Sequence, residues 1–218
     1  MDLHNILITI LVYAIPVVFA ITLHEAAHGY VAKHFGDTTA YMLGRVSLNP
    51  VKHIDLLGTI VLPIVTLALS PFMFGWAKPV PVNFNNLRRP KADMLWVAAA
   101  GPGSNLAQLV VWAVVAWVLA RTVSPSGLAG GFWLAVADAG IKVNIMFALL
   151  NLLPILPLDG GRMVASVLPN RMSYAWQNTE RFGMVILLVL LFTGVIGWVL
   201  NPLYRGMYRQ TLGLIGLG

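Results

Sequence analysis

Residues 5–28 read NILITILVYAIPVVFAITLHEAAH, an apolar run that ends in His24, Glu25 and His28 instead of a polar loop. About twenty apolar residues, rising 1.5 Å each as a helix, reach across about 30 Å of hydrocarbon, so the stretch predicts a membrane-spanning helix. No Lys or Arg precedes the run and no small-residue cleavage site closes it, so it is read as a retained span and not as a signal peptide. Ionisable groups at such a helix are costly, about 2.5–3.5 kcal/mol each at its centre on insertion scales, and three of them together call for a shared partner. The plainer alternative is a solvated polar cap at the membrane interface.

The triple has the spacing H-E-x-x-H. Residues four apart on a helix sit about 40° apart around the axis and one turn apart along it, so two imidazoles can grip one Zn2+ ion. Glu25 then lies beside the open coordination position, where a carboxylate can take a proton from water and pass it to a leaving amine. The pattern points to metal-assisted amide hydrolysis, and a third protein ligand is required.

Composition agrees with the membrane reading. The 218 residues are 58% hydrophobic and only 10% charged, against about a quarter charged in an ordinary soluble domain. The net charge of +6 comes from basic residues scattered between apolar runs, so no nucleic-acid partner is expected. There is no cysteine, which excludes disulfides, thiolate metal sites and a cysteine nucleophile. Residues 1–218 are read as one integral-membrane domain.

Five apolar runs stand out, about 5–32, 56–77, 94–120, 131–153 and 182–204. The second holds Pro63 and Pro71 and leads into Gly75, Pro79 and Pro81, punctuation that breaks a simple span. If all five cross once, the flanking Lys and Arg divide seven to six and orient nothing. If the second enters and leaves on one face, they divide ten against three, with Arg121, Arg205 and Arg209 the minority. The positive-inside rule favours that split. The expected fold is therefore an all-α polytopic membrane protein with about four full transmembrane helices. It adds a re-entrant or hairpin element near 54–90, with two short crossings there as the alternative, and short extended segments near the site. Val80, Val82 and Phe84 alternate as an edge that could pair with an extended substrate.

The second unusual stretch is Asn151-Leu-Leu-Pro-Ile-Leu-Pro-Leu-Asp159-Gly-Gly. Pro154 and Pro157 end the helix before it and deliver a lone carboxylate. Read alone, it is an ordinary Asp-Gly-Gly turn; beside an H-E-x-x-H in the same membrane, Asp159 is the best candidate third ligand. Among its rivals, His34 points about 240° away from His28 if the helix continues, and Val31 stands where a chain-turning glycine would be needed. His4 and His53 are isolated. Asp138 and Lys142, four apart, are expected to pair with each other.

Taken together, the H-E-x-x-H helix, Gly101-Pro102-x-x-Asn105 and N-x-x-P-x-x-P-x-D-G-G, in that order, resemble the site-2 protease family of intramembrane zinc metalloproteases. Gly44-Arg-Val-Ser-Leu-Asn-Pro50 and His53-Ile-Asp-Leu-Leu-Gly58 are similar to its compact prokaryotic branch, which lacks PDZ and CBS domains. The resemblance implies that His24, His28 and Asp159 hold one Zn2+ and that Glu25 is the general base. It also implies that Asn151 and Asn105 contact substrate or polarise its carbonyl. It further implies a transmembrane segment of another membrane protein as substrate, a lipid bilayer as surroundings and a prokaryotic cell membrane, while the charge count puts the site toward the cytoplasmic face. A metal transporter using the same ligands and an inactive scaffold that binds transmembrane helices are the competing readings. An intact Glu25 counts against the scaffold. Asp159 can reach the histidines only if the first and fourth runs descend toward the same face.

Overall fold

The computed structural model describes residues 3–61, 78–124 and 127–218. Its α-helices among these residues are α1 (Leu3–His34), α2 (Thr39–Met42), α3 (Pro90–Thr122), α4 (Leu128–Asn151), α5 (Asp159–Val167), α6 (Asn170–Gln177), α7 (Glu180–Phe192) and α8 (Val195–Leu214). Three are long and apolar enough to cross a membrane: Leu7–His34 in α1, all of α3, and Gly130–Asn151 in α4. α7 and α8 make a fourth candidate as a pair, bent by 73° at the break between them. The protein is a helical membrane protein.

Contacts between helices give their directions. His28 meets Val97 and His24 meets Asn105, so α1 and α3 run antiparallel. Asn105 meets Asn144, while Val12 packs with Val136 and Ala139, so α4 runs parallel to α1. The ends of the first and fourth runs thus lie at the same level, as the zinc reading required. α3 closes on α4 through Leu109, Ala113 and Ala116 against Ala137, Ile141 and Ile145, where alanines let two helices approach closely.

The chain that leaves α1 comes back to the same end of the bundle. The Arg88 amide donates to the Phe35 carbonyl at 2.9 Å, and α3 starts two residues later at Pro90, a favoured first helical residue because it lacks the unused N–H. Residues 37–87 therefore begin and end on one face, in agreement with the charge count. Whether they re-enter or cross twice concerns residues 62–77, which lie outside the described residues. Among those described, no strand occurs. Residues 78–83 have no regular structure and Phe84–Asn86 form a 3₁₀ turn, so the expected extended edge is not seen there. Asn83 caps that turn with its own side chain, which is incompatible with strand geometry at Phe84.

Asp37 ties this return path together. Its carboxylate accepts from the Thr39 hydroxyl at 2.5 Å and amide at 3.0 Å, from the Asn83 amide at 2.7 Å and from Asn86 Nδ2 at 3.2 Å. Burial alone would raise its pKa, but these four donors outweigh it and hold the carboxyl below the ordinary value. The stabilisation is therefore present at neutral pH and is lost as pH falls below the unfolded value of about 3.9. Asp37→Asn is expected to melt at a lower temperature than wild type at pH 7, with the gap closing as the pH is lowered past about 4. A gap that is constant with pH contradicts this.

The fifth apolar run departs from expectation. It is broken at Gly194, whose φ of +77° is left-handed and suits glycine at a helix end. Helix α8 then continues past Tyr204 to Leu214 and packs along α4 through Tyr204, Met207, Tyr208 and Leu212. Arg205 and Arg209, both exposed, are the charges that closed the apolar run at residue 204.

Candidate metal centre

α1 carries His24 and His28 on one face, and α5 begins with Asp159 immediately after the proline turn. Helix formation alone stacks the imidazoles: their rings are edge to face with centroids 4.7 Å apart, and their Nε2 atoms are 3.1 Å apart. Asp159 Oδ2 lies 3.2 Å from His24 Nε2, and Oδ1 lies 3.3 Å from His28 Nε2. These three side chains form a group whose candidate ligand atoms lie within 4.8 Å of one another. Residues 131 positions apart in the chain are brought together because α1 and α4 end at the same level.

The chemistry of the donor set tests whether a metal fits. His28 Nδ1 faces the Val97 carbonyl at 2.7 Å, and a carbonyl only accepts, so Nδ1 carries a proton and Nε2 is the nitrogen left to ligate a metal. His24 Nδ1 likewise faces Asn105 Oδ1 at 2.7 Å. Asp159 Oδ2 is buried with no hydrogen-bond donor. Two imidazole Nε2 atoms and a carboxylate thus face one another, a donor set that suits a cation. Tetrahedral zinc with bonds of about 2.0–2.2 Å sets its ligand atoms about 3.3 Å apart, close to the 3.1 Å between the imidazoles and the 3.2 and 3.3 Å from each to its nearer carboxylate oxygen. The outer partners Val97 and Asn105 supply the tautomer control usual for metal-bound histidine. Gly101 keeps the space at the ligating edge of the rings open, since a Cβ at this position would come within 2.5 Å of both His24 Nε2 and His28 Nε2.

A carboxylate binds a metal in its ionised form, which makes Asp159 the anion among the three donors. Glu25, next to His24 but turned to another side of α1, has its Oε2 fixed at 2.7 Å by the Val80 amide. Val80 itself is buried beside Gly29, one turn further along α1.

The remaining expectations divide. Asn105 is fully buried, with Oδ1 toward His24 and Nδ2 donating to the Ala20 carbonyl at 3.3 Å and Asn144 Oδ1 at 3.0 Å. Its amide is bonded inside the protein and faces His24, a position suited to orienting that ring. Asn151 is half-buried, and its Nδ2 donates to the Phe147 carbonyl at 3.0 Å, the helix-internal bond of its type. His34 is exposed and stands edge-on to Phe35, away from the cluster. His53 is buried against the Ser47 carbonyl, and His4 lies exposed near the chain start. Asp138 and Lys142 pair at 2.5 Å as expected, and the Tyr208 hydroxyl joins them at 2.5 Å. Three contributors escaped the sequence: the Val97 carbonyl and the Val80 amide, which as backbone groups leave no mark in it, and Asn144. A lone Asn amid Val, Ile and Met was the only available signal for the last.

Comparison with known proteins follows the same line. Over 197 residues the chain is 35% identical to "Putative zinc metalloprotease YwhC" of Bacillus subtilis, covering 87% of this chain and 84% of that one. It is 30% identical over 187 residues to "Putative zinc metalloprotease Rip2" of Mycolicibacterium smegmatis, covering 85% and 68%. It is 34% identical over 130 residues to "Putative zinc metalloprotease Rip3" of Mycobacterium tuberculosis, covering 58% and 31%. No family model matches the chain. No solved structure matches it either.

Proposed function

The chain belongs to the site-2 protease family of zinc metalloproteases, and from that membership we propose that it hydrolyses peptide bonds in or beside transmembrane segments of other membrane proteins. One observation supports this reading above the rest: three candidate ligand atoms from His24, His28 and Asp159 converge within 4.8 Å of one another near the ends of two membrane helices. His24, His28 and Asp159 would hold the metal. When bound, zinc supplies Lewis acidity, polarising a carbonyl and lowering the pKa of water to about 7.

The chain's own residues do the rest. Glu25 accepts a proton from the attacking water and returns it to the departing amine nitrogen, so the peptide C–N bond breaks with no net proton change. The Val80 N–H holds one oxygen of that carboxylate. Asn151, whose oxygen is not used in its helix-internal bond, is suited to a substrate N–H. The substrate segment must be locally unwound, because helical amides are shielded by their own hydrogen bonds. The site lies where α1 and α4 end and the basic residues gather, which by the positive-inside rule is the cytoplasmic face of a prokaryotic membrane and gives water a way in.

The test is metal removal in a bilayer. Purified protein in liposomes with a model single-span membrane peptide is expected to cleave it, to stop after chelation and to resume on adding Zn2+. Zinc moving across the liposome wall without cleavage would instead support the transporter reading.

A further inference from the structure

Asn144 lies fully buried in α4, in a span where no solvent competes for its amide. Its Nδ2 donates to the Gly140 carbonyl at 2.9 Å, and its Oδ1 accepts from Asn105 Nδ2 at 3.0 Å. Asn105 Nδ2 also donates to the Ala20 carbonyl at 3.3 Å, and Asn105 Oδ1 faces His24 Nδ1 at 2.7 Å. The run of bonds is thus anchored at two backbone carbonyls that can only accept. If Asn144 were turned over, its oxygen would face the Gly140 oxygen. If Asn105 were turned over, its oxygen would face both the Ala20 carbonyl and Asn144 Oδ1. Each reversal puts buried acceptors against each other, at a cost of about 1–3 kcal/mol per unsatisfied group. Only one orientation remains, and it offers His24 an acceptor.

We propose that Asn144 is a positioning residue for the metal site: through Asn105 it holds His24 in the Nδ1–H tautomer, leaving Nε2 bare toward Asp159. Helix α4 thereby contributes to the metal centre without touching it, and α1, α3 and α4 are registered against one another at the depth of the ion. The proposal rests on the zinc reading. Its rival is that Asn144 is only a polar bond holding helices together.

The test uses Asn144→Leu, close in volume and unable to accept or donate, in the purified full-length protein. Zn2+ is competed against a colour-forming chelator, and the visible spectrum of the Co2+-loaded protein reports coordination. The variant is expected to yield zinc about 10–100-fold more readily, the cost of losing an outer partner of a metal ligand, and to shift the cobalt bands. Unchanged affinity overturns the proposal. So does a weaker affinity with the same spectrum per bound cobalt, because helix glue alone would lower the folded fraction without altering the site. Should the leucine variant not fold, 15N spectra of histidine-labelled, zinc-loaded wild type decide the matter: His24 bound through Nε2 with Nδ1 protonated is expected, and binding through Nδ1 overturns the relay. If wild type binds zinc and the variant weakens it but neither cleaves a membrane peptide, the protease reading fails while the relay stands.

Discussion

Glu25→Gln is expected to lower cleavage of a membrane peptide by about 10²–10⁴-fold, the range supplied by a positioned general base, while leaving one zinc per chain. Glutamine has nearly the same shape, and its side-chain oxygen can still accept the Val80 N–H that holds Glu25 Oε2 at 2.7 Å. The loop at residues 78–83 should therefore stay in place, and His24, His28 and Asp159 are untouched. What is lost is the ability to take and return a proton. Cleavage rates in liposomes, paired with metal analysis of the same sample, separate these effects. Wild-type cleavage by the zinc-loaded variant would remove Glu25 from the chemistry.

Asp159→Ala is expected to cost at least about 100-fold in zinc affinity, beyond the 10–100-fold typical of losing an outer-sphere partner, because it removes a ligand itself. The carboxylate is the only anion of the three donors. Without it, two neutral imidazoles with lone pairs 3.1 Å apart must bind the cation alone. The change leaves α5 capable of forming, since the Leu158 carbonyl still accepts from the Arg162 amide at 3.3 Å. Chelator competition is the measurement. A variant that keeps its zinc with wild-type affinity would mean that the carboxylate is not a ligand, and that the convergence of α1 and α5 serves packing.

Both predictions concern groups that were visible before any coordinates, and that is a consequence of the medium. In hydrocarbon an ionisable side chain is expensive, so His24, Glu25, His28 and Asp159 stand out against apolar neighbours in a way that they would not on a soluble helix. The same economy made the membrane helices legible, apart from the bend at Gly194 and the continuation to Leu214, where Arg205 and Arg209 on an exposed face hid a helix whose other face packs on α4. Amides were harder to read. Asn105, Asn144 and Asn151 are equivalent in sequence, each an uncharged polar residue in a span, and only their partners separate the first two from the third.

By itself, then, the sequence determined that this is a helical membrane protein, that two histidines one turn apart can share an ion, and that the chain after α1 has reason to return to the same face. Local periodicity, insertion cost and charge asymmetry act within a segment or along the chain, so they can be read from it. Only the tertiary structure decided that α1 and α4 run parallel and bring a carboxylate 131 residues away to within 3.3 Å of the imidazoles. It alone decided that Val97 and Asn105 fix the tautomers and that a backbone amide at Val80 holds the base. Those facts depend on relative helix direction, depth and rotation, and on main-chain atoms that are the same in every residue.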